Sequence, residues 1–338
     1  MTSSSLNVTT TCASEVQVDH LSSWNYRIAA ACALSAILAT TISSVIAIKW
    51  IHSKSTFQSS TRIILLMNIL YANLHQWMYA MFSADMLHKA IFLIDEPCEW
   101  LISEHTCLPF TLLLYTGIGG MIYSQTGVLI ERAIATFYSK YTTALSRVVG
   151  ASISLAVLIS ALSTYRIILQ DDPLDGFVLN CFIPAVHSAH RANRFWGVCI
   201  VLTLVNLIVS IAVMYYNKRL EYRIRYKLRE RFKKREVIDS THTICIVSMC
   251  QFLTTLGYSL GVLLLRCYMD RMEMSTFFAL ITWVYMVPYS ALLLPLILLY
   301  RIRATKASRT RKIQDITSTR QTQQEHIKQI QMIWNAET

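Results

Sequence analysis

The sequence predicts an all-α membrane protein, a bundle of seven transmembrane helices with its amino terminus outside and its carboxyl terminus in the cytosol. Three observations carry that prediction. The 338-residue chain is 54% hydrophobic and only 15% charged, which leaves too little polar surface for a soluble protein of this length. Seven apolar runs are each near the roughly 20 residues that cross a bilayer as a helix. The basic residues are divided unevenly between alternate connections, as the positive-inside rule requires.

The elements follow in order. Residues 1–27 form an outer segment that lacks the basic start and early apolar core of a cleavable signal. The first span is therefore expected to insert as its own signal. The bundle occupies 28–300, with spans at 28–50, 63–82, 107–130, 148–165, 195–216, 241–265 and 276–300. Each is helical because backbone groups in lipid must satisfy one another.

Of the 31 Lys and Arg, 7 fall in the amino terminus and the connections expected outside. The other 24 fall in the alternate connections and the tail. The acidic residues lean the other way, 12 outside and 8 inside. The net charge of +11 is thus a signal of topology and of attraction to lipid headgroups, and no nucleic-acid partner is expected. Asn7, in Asn7-Val8-Thr9, is a glycosylation acceptor on the outer side.

The cytosolic connection 217–240 carries ten basic residues, with Leu220, Ile224, Leu228 and Phe232 at a spacing of four. That pattern suggests the fifth helix continues into the cytosol as an amphipathic extension. Arg223, Arg225, Lys227 and Arg229 lie on it and offer a docking surface to an acidic partner. The tail, 301–338, is polar and Gln-rich, and no activity is assigned to it.

The cysteines sort by compartment. Cys32, Cys199, Cys245 and Cys250 lie inside spans, where a thiol packs as a small apolar group. Cys12, Cys98, Cys107 and Cys181 lie outside, where bridges persist. Four outer cysteines allow three pairings, and the sequence alone does not choose among them. A Cys107–Cys181 bridge, with Cys12–Cys98 as its complement, would pin the fourth–fifth connection over the bundle mouth.

The spans hold no Asp or Glu in their interiors, which counts against ion-coupled transport. His75 has no second ligand at metal spacing, so neither enzyme chemistry nor a metal or cofactor is expected. His75 sits in a polar patch with Asn68, Asn73 and Gln76. On the third span Tyr115, Ile118, Ile122, Gln125, Leu129 and Arg132 step by three and four and share one face. With His75, Trp77, Tyr79, Tyr258, Trp283 and Tyr285, the upper part of that face could line an apolar pocket with a few polar tips. No carboxylate stands there to pair an amine, so a neutral small molecule fits best. Gly257 and Gly261 permit close helix approach, and Pro288 and Pro295 give the seventh span hinge points.

Seven outside-first spans, Cys107 placed 25 residues before Arg132, and the loop Cys181 resemble a G-protein-coupled receptor. More narrowly, CASE at Cys12, NLHQ at Asn73, EPCEWLISEHTCLPF around Cys98 and Cys107, and IERAIATF around Arg132 are similar to nematode serpentine chemoreceptors. The class alpha (Sra) group matches best, with the Srab group nearby. The resemblance implies a chemosensory receptor in the plasma membrane of sensory neurons and their cilia, coupled to a heterotrimeric G protein. It makes Glu131–Arg132 the acidic–Arg pair at the G-protein end of the third helix. Ala133 stands where rhodopsin-like receptors carry an aromatic, the second span has no Asp, and the sixth has no Trp-x-Pro. The seventh span has Leu294–Pro295 in place of an Asn-Pro-x-x-Tyr pattern. Two other readings are a seven-helix ligand-gated channel or transporter, and a dimer partner for another receptor.

Overall fold

The computed structural model describes residues 12–53, 57–138, 141–170, 172–182, 188–223, 228–268, 271–318, 327–328 and 331–332. Asn7, Arg225 and Lys227 lie outside them, as do the side chains of Arg223 and Arg229. The chain forms two compact units, Met1–Leu299 and Tyr300–Thr338.

The first unit opens with α1 (Glu15–Ser22), which is started by a reciprocal cap. Gln17 N–H donates to Ser14 Oγ, while Ser14 N–H donates to Gln17 Oε1. Long helices follow as α2 (Trp24–Ser53), α3 (Ser59–Phe92), α4 (Glu104–Phe137), α5 (Thr143–Leu169), α6 (Ala189–Arg223) and α7 (Leu228–Tyr268). The last two are α8 (Met274–Val284) and α9 (Val287–Ser318). Among the described residues, six helical stretches, those of α2, α4, α5, α6, α7 and α8–α9, are long and apolar enough to cross a membrane. The more polar α3 has 34 residues, about 51 Å at 1.5 Å per residue, and turns Asn68, Asn73, His75 and Gln76 inward.

The outward faces are apolar. Leu38, Ile42 and Val45 on α2, and Val198, Val201 and Ile208 on α6, are all more than half exposed. A surface of contiguous large aliphatics suits hydrocarbon and not water. The axial helix is α4: 61% of its most apolar stretch is buried, against 22–39% in the other five. It packs on α3, α5, α6 and α7. Polar ties reinforce the packing, with Asn206 on α6 donating to Thr126 and Asn217 to Thr136, both at 2.9 Å.

The expected span 276–300 is not one helix. It is broken at Tyr285–Met286, and the chain resumes as α9 one residue before Pro288. Proline has no N–H to donate to the Val284 carbonyl, and it disfavours a helical residue before it. The helix continues through Pro295, so only one of the two prolines coincides with a break. The segment 217–240 is helical on both sides of 224–227, because α6 runs past the expected span and α7 starts well before its own.

One end of the bundle carries a bridged cap. Cys12 pairs with Cys98 and Cys107 with Cys181. A short antiparallel ladder joins β1 (Ile102–Ser103) to β2 (Phe177–Val178). Trp100 is fully buried against Ala13, Leu21, Met86 and Ala90, and its indole N–H donates to the Leu93 carbonyl at 2.7 Å. Lys89 is also buried; it pairs with Asp85 at 2.8 Å and donates to the Trp100 carbonyl at 3.1 Å.

The unit Tyr300–Thr338 contains the remainder of α9 and helical residues at 327–328 and 331–332.

Candidate functional site

Two groups of side chains stand on the axial helix, one towards each end. The first is a nest of rings below the bridged cap. His75 is wholly buried because α3 and α4 approach closely at Gly117. A Cβ there would stand 2.8 Å from the His75 backbone nitrogen. From that position His75 Nε2 lies 2.6 Å from the Tyr285 hydroxyl. The next residue, Gln76, donates to the Pro288 carbonyl at 2.7 Å and to Thr40 Oγ1 at 3.2 Å. Two consecutive residues of α3 thus brace both sides of the break in the seventh span.

Tyr285 is the hub of the nest. Its ring centroid lies 5.0 Å from Tyr79, 5.5 Å from Tyr258 and 4.5 Å from Phe182. Trp196 extends the cluster through Tyr258 at 4.6 Å. Tyr115, Ile118 and Ile122 are all buried on α4, and Tyr115 lies within electrostatic range of Tyr258 and Tyr285. Of the side chains that the sequence grouped as a pocket, Trp283 does not join. It is 42% exposed, and its indole N–H donates to Asn25 at 3.0 Å. Trp77 also faces outward. Phe182 and Trp196 were missed; the signal for Phe182 was its place directly after a bridged cysteine.

The second group is polar. Arg132 folds back onto its own neighbour, with Nε donating to Glu131 Oε2 and Nη2 to Oε1, both at 2.6 Å. Both residues are at most 1% exposed. The carboxylate also accepts from Ser60 Oγ, from Thr61 Oγ1 at 2.9 Å and from Tyr141 OH at 3.1 Å. Burying an ion pair is tolerable only when such extra hydrogen bonds fill the remaining lone pairs. Arg132 reaches further, donating to Gln58 Oε1 at 2.8 Å and to Ser240 Oγ on α7 at 3.5 Å. Sequence spacing gave no sign of these partners, which come from 57–61, 141–146 and α7. The six-residue face from Tyr115 to Arg132 is buried along its whole length, so one helix carries both groups.

A family profile described as "Serpentine type 7TM GPCR chemoreceptor Sra" matches residues 7–334. The chain belongs to the Sra family of serpentine chemoreceptors. Caenorhabditis elegans Serpentine receptor class alpha-1 is 63% identical over 96% of this chain and 98% of its own length. Serpentine receptor class alpha-7 and class alpha-6 of the same organism are 43% and 44% identical, each over 96% of this chain and 98% of the relative. The protein is therefore a multi-pass membrane receptor of the seven-helix type.

Between its two groups the Sra receptor holds two small voids, each with room for about one water molecule. Asn68, Gln125 and Val247 line both. The side-chain oxygens of Asn68, Gln125 and Gln251 are buried there without a hydrogen-bond partner. A water in the first void would answer the rule that buried polar atoms find partners. This polar shaft lies on the α4 face between the ring nest and Arg132.

Proposed function

We propose that this Sra receptor detects a small neutral molecule in its ring nest and activates a heterotrimeric G protein at the Arg132 end. The carrying observation is α4 itself, which meets the nest where Gly117 packs against His75 and carries Arg132 of the polar cluster on the buried face below. A ligand that repacks Tyr285 changes the support of one rigid helix, and the far end of that helix holds Glu131–Arg132. Ligand binding shifts such a two-state bundle by its differential affinity for the two arrangements. In this reading the bridged cap with Asn7 lies outside, and the Arg132 end and the tail are cytosolic, as the basic residues divide. Arg223, Arg225, Lys227 and Arg229 add an electrostatic dock for the G protein and for anionic lipid. The location is the plasma membrane of sensory neurons.

The test is a ligand screen in a heterologous cell with a promiscuous G protein, repeated on Arg132→Ala. The variant leaves the Glu131 carboxylate buried with only neutral donors, so wild type and variant are compared at matched surface level, read by an outer epitope tag, and the variant should lose ligand-evoked G-protein activation. Undiminished activation would refute the role of Arg132. A ligand-evoked current in cells without G protein would favour a channel instead.

A further inference from the structure

Phe182 enters the ring nest from outside the spanning segments. It follows Cys181 on the connection between α5 and α6, and its ring drops among rings from α3 and the broken seventh span. The contacts are edge-to-face, 4.5 Å and 72° to Tyr285, and 5.4 Å and 66° to Tyr79. That is the arrangement aromatic pairs prefer, since a ring edge is positive and a ring face negative.

The backbone leading into Phe182 is held in place. Cys181 is bridged to Cys107, and its carbonyl accepts from Thr111 Oγ1 at 3.1 Å. The Phe182 N–H donates to Asn180 Oδ1 at 2.9 Å. The chain is thus tied down as far as Phe182, while the side chain is only half-buried, in contrast to the fully buried His75 and the 6%-exposed Tyr285 beside it. Rotation about the Phe182 side-chain bonds is the motion by which its ring would leave the nest.

We infer that the Phe182 ring stands where the ligand binds, and that the ligand is a neutral, planar aromatic molecule of about one ring. The inference rests on the receptor reading above and narrows it to a ligand class. The vacated space lies against the rings of Tyr79 and Tyr285, so a flat aromatic ring recovers the lost ring–ring contacts and a saturated ring does not. Beside it His75 Nε2 and the Tyr285 hydroxyl pair at 2.6 Å, and His75 Nδ1 is buried without a partner, so the polar groups there are neutral ones. A charged ligand would have to be desolvated among rings with no counter-charge described against them, which is costly. The site also acts where it has most effect, because Tyr285 is the last residue before the break in the seventh span.

The resident ring taxes binding: a ligand sees only the fraction of receptor with Phe182 withdrawn, and its apparent affinity falls by that fraction. The experiment measures thermal unfolding of the full-length receptor in detergent against rising toluene, with methylcyclohexane and the benzylammonium ion as comparison probes. Phe182→Ala should raise the melting temperature saturably with toluene, at a half-saturating concentration roughly tenfold or more below that of the wild type. Neither comparison probe should do so. Phe182→Trp, which fills the space more fully, should respond to toluene no better than the wild type. Should Phe182→Ala fail to fold, Phe182→Leu keeps an apolar filler without a ring and is compared with Phe182→Trp in the same way. Equal half-saturation across wild type, small variant and Trp variant would overturn the inference. So would an equal response to methylcyclohexane. Because no G protein is present, either overturning result stands even for a receptor that signals.

Discussion

His75 Nε2 and the Tyr285 hydroxyl stand 2.6 Å apart although 210 residues separate them. The bond joins a helix that runs unbroken through the bundle to the residue where another helix stops. Gln76 repeats the brace on the far side of the stop, at the Pro288 carbonyl. The interruption of the seventh span is thus held in place by α3, and anything that moves Tyr285 acts on that junction.

Tyr285→Phe removes the hydroxyl and leaves the buried His75 Nε2 without its partner. An unpaired buried polar group costs about 1–3 kcal/mol. His75→Phe strands the tyrosine hydroxyl at a similar cost. Replacing both should be milder than the sum, with a coupling of about 0.5–3 kcal/mol. Thermal or chemical unfolding of the three variants in detergent reads the cycle; strict additivity would mean the contact contributes nothing.

Gly117→Ala tests what puts His75 there. The new Cβ would come within 2.8–2.9 Å of the His75 backbone nitrogen, Cα and Cβ. Backbone cannot yield as a flexible side chain does, so the helices must separate, and overpacking of this kind costs about 1–3 kcal/mol. Gly197 on α6 is the control, because a Cβ there meets nothing within 4 Å. Gly197→Ala should be neutral or stabilise by up to about 1 kcal/mol, the helix-propensity difference. Equal effects of the two changes would show that α3 and α4 are not in the close contact described.

Much of this fold could be read from the sequence, and the reason is lipid. Apolar runs must become helices there, and the three-and-four stepping from Tyr115 to Arg132 needs only one buried face to be correct. The readings that failed are those decided by long-range packing. Trp283 and Tyr285 look interchangeable as aromatics near one end of a span. They are two residues apart, however, about 200° around a helix, so one faces out to Asn25 and the other in to His75. Pro288 and Pro295 carry the same local signal, yet the chain breaks only before the first. Gly257 and Gly261 let Met286 and Val284 approach α7 just there, and α3 supplies Gln76. The donors on Glu131 come from segments about 10 and 70 residues away in sequence, with no periodicity to announce them.

Cys181→Ser opens the bridge that holds the backbone beside Phe182. The bridge closes a segment with a sequence separation of 74, and removing such a link costs about 2–5 kcal/mol, chiefly by freeing the unfolded chain. The variant should lose surface expression or melt markedly lower. Non-reducing peptide mapping of the wild type should recover Cys107 joined to Cys181 and Cys12 joined to Cys98; an alkylated, free Cys107 would contradict both expectations.

His20 gives the cap a pH dependence. It is buried between Tyr26 and Phe278, with ring centroids 5.5 Å away on each side. Burial penalises the imidazolium and lowers its pKa below the usual 6.5. The unfolded chain therefore takes up the proton first as pH falls. The stability that His20 contributes is complete above about pH 6.5 and declines below it, levelling off only beneath the lowered folded value. Melting temperatures of the wild type should fall between pH 7.5 and 5.5 by more than those of His20→Phe. Parallel profiles would remove His20 as the source.

The polar cluster predicts which changes raise basal signalling, on the proposal that Arg132 engages a G protein. Arg132 is held by two kinds of contact. Glu131, its neighbour on the same helix, neutralises it, while Gln58 and Ser240 tie it to the start of α3 and to α7. The Ser240 bond must break for α7 to move away from Arg132, and the Gln58 bond for the start of α3 to do so. Gln58→Leu and Ser240→Ala each delete one neutral partner and leave the charge pair intact; the long Ser240 bond should cost about 1 kcal/mol or less and the short Gln58 bond to the buried cation about 1.5–3 kcal/mol. In a two-state bundle such a loss, if confined to the resting arrangement, multiplies the active population by roughly fivefold for each kcal/mol. Basal G-protein activation should therefore rise for each variant at equal surface expression, and rise further for the pair. Glu131→Gln differs in kind, because it strands a buried guanidinium at a cost of about 3–5 kcal/mol, and it should reduce expression before any effect on signalling can be read. Unchanged basal activity in the double variant would mean that Ser240 and Gln58 do not hold the resting state.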